Sequence, residues 1–397
     1  MTEKPMQSQW VYLDNNATTR TDRRAVDAML PFYLDQYANP SSMHEMGTMA
    51  AGAVRAARNR VRALIGANRD SEIVFTSGGS ESNNTAILSA LQTHPGRDEI
   101  VTSTVEHPAI LAVCDHLERT GRARIHRIPV DRYGALDLNA YGNALSKRTA
   151  LASIQWANNE TGVLFPVEML AFMAHQAGAL FHCDAVQAAG RVAMNIAATE
   201  IDMLSISAHK MHGPKGIGAL YLRNGVKFAP FVHGGRQERG RRAGTENTPA
   251  IVGFGAAAKL ASQALLYDMQ RISQLRETME REILRRVPGS VVIGDRSNRL
   301  PNTLNVAFAE VEADLILTRL DRAQIAASSG SACTAGSMEA SHVLRAMRVP
   351  FSHLRGSVRF SFSRDNSDSD VDRVLEVLPR AISDLQAISE PLEAACD

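Results

Sequence analysis

Lys210 closes the run Ser-Ile-Ser-Ala-His-Lys and is followed by Met-His-Gly-Pro-Lys-Gly-Ile-Gly. A lysine where a buried strand ends and a Gly/Pro turn begins can form a Schiff base once its surroundings lower its pKa. In Phe-His-Cys-Asp-Ala-Val-Gln, residues 181–187, Asp184 stands just past an apolar run. A carboxylate there can hold the proton of a pyridine nitrogen and keep the ring an electron sink. From Phe75 the chain reads Phe-Thr-Ser-Gly-Gly-Ser-Glu-Ser-Asn-Asn, a strand passing through Gly79 and Ser80 into a helix. Free backbone N–H groups and the helix dipole then face one point beside the Ser80 hydroxyl, which makes a phosphate cradle. It has neither the Walker lysine nor the GxGxxG spacing of nucleotide-binding loops. His107, in Thr-Val-Glu-His-Pro, suits stacking on an aromatic ring or proton shuttling. Singly, each fragment has an ordinary reading: a strand-capping lysine, a helix-capping aspartate, a glycine turn, a loop histidine. Jointly, at strand ends, they describe a site for a ring that carries a phosphate, a pyridine nitrogen and a Schiff-base carbon.

A fifth piece is Ser-Ser-Gly-Ser-Ala-Cys-Thr-Ala-Gly-Ser, residues 328–337. Small and polar residues without a bulky apolar anchor read as an exposed, mobile loop. Free cysteines are usually buried as small hydrophobes, so Cys333 in such a loop is a candidate nucleophile. The other cysteines are Cys114, Cys183 and Cys396. Cys183 lies in an apolar run and reads as core. The four have no paired spacing, so neither a disulfide framework nor a metal site is expected.

These residues need a scaffold that brings strand ends together. Strand-like runs fall at 72–76, 99–103, 150–155, 179–183, 203–207 and 218–222, with helical patterns such as 109–119 and 166–177 between them. The alternation predicts an α/β fold with a mostly parallel sheet covered by helices. In such a sheet, ligands bind beyond the carboxyl ends of the strands. After Gly255 the pattern changes to a long amphipathic helix over 256–286. Strand candidates follow at 291–293, 303–306 and 357–362, and a helix at 369–388 closes the chain. The reading is a large domain over 16–258 and a smaller α+β domain made of 1–15 and 259–397, with 11–13 as a short strand.

The chain has 397 residues with 43 Lys plus Arg against 42 Asp plus Glu, a formal net charge of +1. No global field recruits nucleic acid or an anionic membrane. The arginines Arg236, Arg239, Arg241 and Arg242 form a basic run, but without interleaved aromatics they do not read as a nucleic-acid site. The polar opening has no apolar core of a signal peptide, and apolar stretches are broken before membrane-spanning length. The expectation is a cytoplasmic protein without a membrane or nucleic-acid partner.

Leu-Asp-Asn-Asn-Ala-Thr-Thr from Leu13, Asn-Pro-Ser-Ser-Met-His from Asn39, Gly-Gly-Arg-Gln-Glu-Arg-Gly-Arg-Arg-Ala-Gly-Thr-Glu-Asn from Gly234 and Val-Arg-Phe-Ser from Val358 join the segments above. In that order, over nearly the whole chain, they resemble the cysteine desulfurases. The resemblance implies the pyridoxal-5′-phosphate (PLP) transferase fold type I, like aspartate aminotransferase, in a homodimer. It implies conversion of L-cysteine to L-alanine, with sulfur left on an enzyme cysteine and then passed to a scaffold protein for iron–sulfur clusters. Carried over residue by residue, Lys210 matches the Schiff-base lysine, Asp184 the ring-nitrogen partner, Gln187 the partner of the ring oxygen and His107 the stacking residue. Gly79, Ser80, Ser207 and His209 match the phosphate site, and Thr245 a phosphate contact that crosses from the other subunit. Asn159 and Arg359 match groups near the substrate, with Arg359 on its carboxylate, and Cys333 matches the persulfide-forming cysteine. Ser80 stands where the family often has threonine and keeps the hydroxyl; Ala340 stands where proline is common. The short stretch after the last helix and Cys-Thr-Ala-Gly-Ser look like the nitrogen-fixation (NifS-type) branch, which serves nitrogenase clusters. A selenocysteine lyase or another β-eliminating lyase remains a rival within PLP enzymes, and a PLP-fold scaffold without turnover a rival outside them.

Overall fold

Short runs of buried β-branched and small residues alternate with helices, and this alternation builds the central sheet. The computed structural model describes residues 10–329 and 341–393. In chain order the strands are β1 (Val11–Tyr12), β2 (Ile73–Thr76), β3 (Glu99–Ser103), β4 (Arg124–Ile128), β5 (Thr149–Ser153), β6 (Leu180–Asp184), β7 (Met203–Ser207), β8 (Gly218–Leu222), β9 (Val291–Val292), β10 (Thr303–Ala307), β11 (Ile325–Ala326) and β12 (Ser357–Ser361). Seven of them form one sheet in the order β2-β8-β7-β6-β5-β3-β4. β8 runs antiparallel to both its neighbours and every other pairing is parallel. The reversal has a local cause. Only a 3₁₀ turn, Ala208–Lys210, and a loop join β7 to β8, whereas a parallel return needs a crossover of a dozen or more residues. β2 therefore points the same way as β7, and the carboxyl ends of β2, β3, β5, β6 and β7 share one edge.

Both faces of the sheet are covered, as expected of strands buried on either side. Val74, Ile100, Leu151 and Leu220 pack with helices Gly79–Thr93 and Pro108–Arg119. Phe75, Val101, Ala152 and Tyr221 pack on the other face with helices Glu45–Ile65, Val167–Gln176 and Thr248–Arg286. A further core gathers Leu13, Leu304, Phe360 and Leu378 around the antiparallel sheet β12-β10-β9 and the parallel pair β1-β11. The helix Thr248–Arg286 feeds both regions, with Phe254 in the first core and Ile272 and Leu275 in the last.

The structure corrects three expectations. The long helix starts at Thr248 rather than 256, because Asn247 caps it by accepting from Ala250 N–H and Pro249 fits its first turn. By length and composition this helix could cross a membrane, contrary to the reading that no stretch is apolar enough. It also feeds two cores, and core helices of soluble proteins meet the same criterion. The third correction is β4. Its sequence, Arg-Ile-His-Arg-Ile, is too polar to read as a strand, and it forms the sheet edge, where one flank faces water.

Candidate active site

The shared edge of the sheet carries the chemistry. β7 ends at Ser207, and the 3₁₀ turn that follows presents His209 and Lys210. Lys210 Nζ donates to the carbonyls of Asn16 (2.5 Å) and Ala17 (2.7 Å), so the N-terminal Asp-Asn-Asn turn holds the amine in place. β6 ends at Asp184, whose Oδ1 accepts from Val186 N–H (3.0 Å) and whose Oδ2 accepts from Asn83 Nδ2 (2.7 Å). β2 leads into Gly79, the first residue of helix Gly79–Thr93. A Cβ on Gly79 would lie 2.7 Å from Val186 Cγ2, so only glycine lets the helix start pack this closely on the Asp184 segment. His107 caps helix Pro108–Arg119, its Nδ1 accepting from Ala109 N–H at 3.1 Å. That bond assigns the ring proton to Nε2.

These elements enclose a cavity of ≈ 230 Å³ lined by Gly79, Ser80, His107, Asn159, Asp184, Gln187, Ser207, His209 and Lys210, with Ala17, Asn83, Gln155, Ala157 and Val186. Nine residues singled out from sequence therefore face one space. Two others do not line it. Arg359 is buried behind Asn159, with Nη1 on the Asn159 carbonyl (2.9 Å) and Nη2 on Asp14 Oδ1 (2.6 Å). Thr245 is exposed at the surface of this single chain. Cys333 lies outside the described residues, as does Cys396. The basic run is partly paired internally: Arg242 meets Glu81 at 2.9 Å, and Glu238 within the run accepts both forks of Arg58 at 2.6 Å.

Burial sets the electrostatics of the site. It lowers the His209 imidazole to about 4, helped by Lys210, Lys215 and Arg191, so His209 is neutral at pH 7. It also lowers His107, against the opposing pull of Asp184. Glu106 is fully buried behind His107 and raised to about 8, because desolvation outweighs the hydrogen bonds from Ser103 and from Gln155 N–H. Glu106 is thus a neutral acid at pH 7. Cys183 is buried and its thiol raised well above the ordinary range, again by desolvation, which agrees with its reading as core. Cys114 is buried as well and pushed up to about 12.

Sequence reasoning passed over several residues at this site. Asn83 has a signal in hindsight: it lies four positions after Gly79, one helical turn on, and so faces the same way. Its Oδ1 is buried with no hydrogen-bond partner and belongs to a side chain that lines the cavity. An unsatisfied buried acceptor beside a carboxylate fits a ligand that brings an N–H. The lysine amine, the glycine-led helix start and the neutral histidine complete a donor set that suits PLP. Asn16 and Arg191 tie the site together from behind; Asn16 lies in the Leu-Asp-Asn-Asn-Ala-Thr-Thr motif, which assigned it no role of its own, and Arg191 has no periodic or motif signal.

The class-V aminotransferase family model matches residues 11–374, and the chain belongs to that family. Within it the chain falls among the cysteine desulfurases. It is 59% identical over 379 residues to a cysteine desulfurase of Gluconacetobacter diazotrophicus, covering 96% of this chain and 95% of the relative. It is 50% identical to the cysteine desulfurase NifS of Azotobacter vinelandii, covering 96% and 94%. Among solved structures, a NifS-like protein superposes with TM-score 0.89 at 35% identity over 95% of this chain and 100% of that one. The structure of SspA in complex with cysteine superposes with TM-score 0.79 at 33% identity, covering 89% and 99%.

Proposed function

We propose that the chain converts L-cysteine to L-alanine at the cavity around Lys210 and collects the sulfur on Cys333 as a persulfide. The destination is a scaffold protein for iron–sulfur clusters, and the likeness to NifS supports nitrogenase clusters as the end use. The observation that carries the reading is the convergence of Lys210, Asp184 and His107 with the helix start at Gly79 on one cavity. PLP, when bound, supplies an electron sink for the bond changes at the amino acid. Lys210 Nζ would hold it through its aldehyde carbon, and Asp184 would keep the ring nitrogen protonated. Gly79, Ser80, Ser207 and His209 surround the phosphate position, and Gln187 offers an amide to the ring oxygen. A free Lys210 amine would be the base that takes and returns the substrate Cα proton. Arg359, held by Asp14 and Asn159 behind the cavity wall, is the cation assigned to the substrate carboxylate, which it would reach by exchanging one of those partners for the substrate. The Cys333 thiolate attacks the substrate sulfur, the S–S bond forms as the C–S bond breaks, and the carbon side leaves as alanine after protonation.

A visible spectrum followed by product analysis tests this. The purified protein should be yellow, with a band that borohydride removes, and should form alanine and sulfide from cysteine in the presence of a thiol. A colourless protein that added PLP does not reconstitute would end the reading. Selenide from selenocysteine with no turnover of cysteine would favour the lyase alternative.

A further inference from the structure

Behind the cavity wall lies a buried cation that the reaction as described does not use. Arg191 Nη1 donates to Gln187 Oε1 (2.5 Å), to Asn16 Oδ1 (3.0 Å) and to the Gln187 carbonyl (3.2 Å). Its Nη2 donates to the carbonyls of Asn15 (3.1 Å) and Lys210 (3.2 Å). Among the described residues every one of these acceptors is neutral, although Arg191 is buried. A buried guanidinium without a carboxylate is costly and needs a reason. Two consequences follow from its bonds. An amide whose oxygen is held by a guanidinium has only its NH₂ group left to offer, so the orientation of Gln187 is fixed. One of its N–H groups donates to the Asn16 carbonyl (2.9 Å), the same oxygen that holds Lys210 Nζ. The other is left for the cavity that Gln187 lines. The positive charge also reaches that cavity, since Arg191 is one of the cations that help burial lower His209.

We propose that Arg191 is a positioning residue of the cofactor site: it orients Gln187 as a hydrogen-bond donor toward an anionic ring oxygen, and it supplies the fixed positive charge behind Lys210. This rests on the reading that PLP occupies the cavity. Its charge favours anionic groups in the cavity and the neutral form of the lysine–cofactor nitrogen. The other charged or titratable groups around Lys210 and Arg191 include His107, His209, Asp184 and Lys215 toward the cavity, Arg359 and His212 next to Arg191, and Asp268 and Arg364 on the hollow that Arg191 and Lys210 share, and all are unchanged in the variants below.

Two substitutions separate orientation from charge, read by the visible band of the bound cofactor. In Arg191→Gln the charge is gone, and the pH midpoint of the band should rise by about one unit, because a titrating nitrogen keeps its proton longer without a cation nearby. In Arg191→Lys the charge stays but the planar fork is lost, so the midpoint should stay near that of the parent protein while PLP dissociates about tenfold faster. If Arg191 acts through Gln187, adding Arg191→Lys to Gln187→Ala should accelerate PLP release no further. Unchanged midpoint and release in both single variants would overturn the proposal, and additive effects in the double variant would remove the role assigned to Gln187. If Arg191→Gln does not fold, parent-like PLP release from Arg191→Lys decides against it. A parent protein without any band would instead overturn the cofactor reading, so the two failures are distinct.

Discussion

At the scale of single residues, the sulfur step and the cofactor site are separate in sequence. The residues assigned to the cofactor fall at strand ends and in the turns after them, whereas Cys333 belongs to the run of small and polar residues 328–337 and has no assigned role in holding the cofactor. Cys333→Ala should therefore keep the cofactor band and its response to added cysteine, yet form almost no persulfide or sulfide. Undiminished sulfide release from that variant would mark a direct eliminating lyase. Cys114 and Cys183 are buried with raised thiols and should not substitute for it. Glu106 gives a second test. Its carboxyl titrates near 8 in the folded protein because burial disfavours the charge, against 4.5 for the ordinary group. Between those values the unfolded chain releases the proton while the folded one retains it. Its contribution to stability is thus complete below pH 4.5, declines as pH rises to 8, and is flat above. Glu106→Gln, which imitates the neutral acid and can still accept from Ser103 and Gln155 N–H, should gain on the parent protein as pH rises. The gain from pH 5 to pH 9 should be on the order of 2–4 kcal/mol, read from denaturation midpoints. A constant difference across that range would show that Glu106 does not titrate there. Strand-end residues with a chemical role were legible because their types are rare in such positions. Glu106, Asn83 and Arg191 were not, because their roles depend on burial and partners distant in sequence.

At the scale of elements, close helix packing is the feature that the pattern of apolar residues hid. Helices Glu45–Ile65 and Thr248–Arg286 cross where a Cβ on Gly255 would stand 2.5 Å from Ala57 Cα and 2.6 Å from Ala57 Cβ. Gly52, on the first of these helices, has nothing within 4 Å of its Cβ position. The two glycines look alike in sequence, and both substitutions to alanine improve helix propensity by about 0.5–1 kcal/mol. Gly52→Ala should therefore stabilise by that amount, while Gly255→Ala should destabilise by about 1–3 kcal/mol, since backbone faces the new methyl. Equal effects in urea denaturation would mean the helices separate easily at this crossing. Sequence patterning located the six strand-like runs of the large sheet within a residue or two, because their residues are buried on both faces. It missed β4, half of whose neighbours are water. It also misplaced the start of the long helix, because the amphipathic pattern begins only after Gly255 whereas the helix is capped by Asn247 and starts at Thr248.

At the scale of the whole molecule, one chain leaves a large apolar surface in water. Leu34, Tyr37 and Met43 are 72%, 70% and 99% exposed, and Met46 and Met49 stand out from the helix that follows. Several exposed large apolar side chains within one short stretch of chain suit an interaction surface. The run from Gly234 to Asn247 is held to the body by Glu238, which accepts from Arg58 and from Phe75 N–H, and it leaves Thr245 at the surface. A second copy of the chain would cover the apolar segment and bring a Thr245 to each cavity, so sedimentation should give the mass of two chains. A two-fold pair exchanges such contacts reciprocally, which makes complementation the decisive measurement. Lys210→Ala disables the site that contains it. Thr245→Glu places a negative charge where a phosphate would sit, and disables the site that it reaches. In a mixed dimer with the contact crossing between subunits, both defects fall in one site and the other site is intact. Unfolding and refolding an equal mixture should then recover about a quarter of the parent activity, as random pairing makes half the dimers mixed with one good site of two. If Thr245 serves its own chain, each site of the mixed dimer carries one defect, and no activity returns.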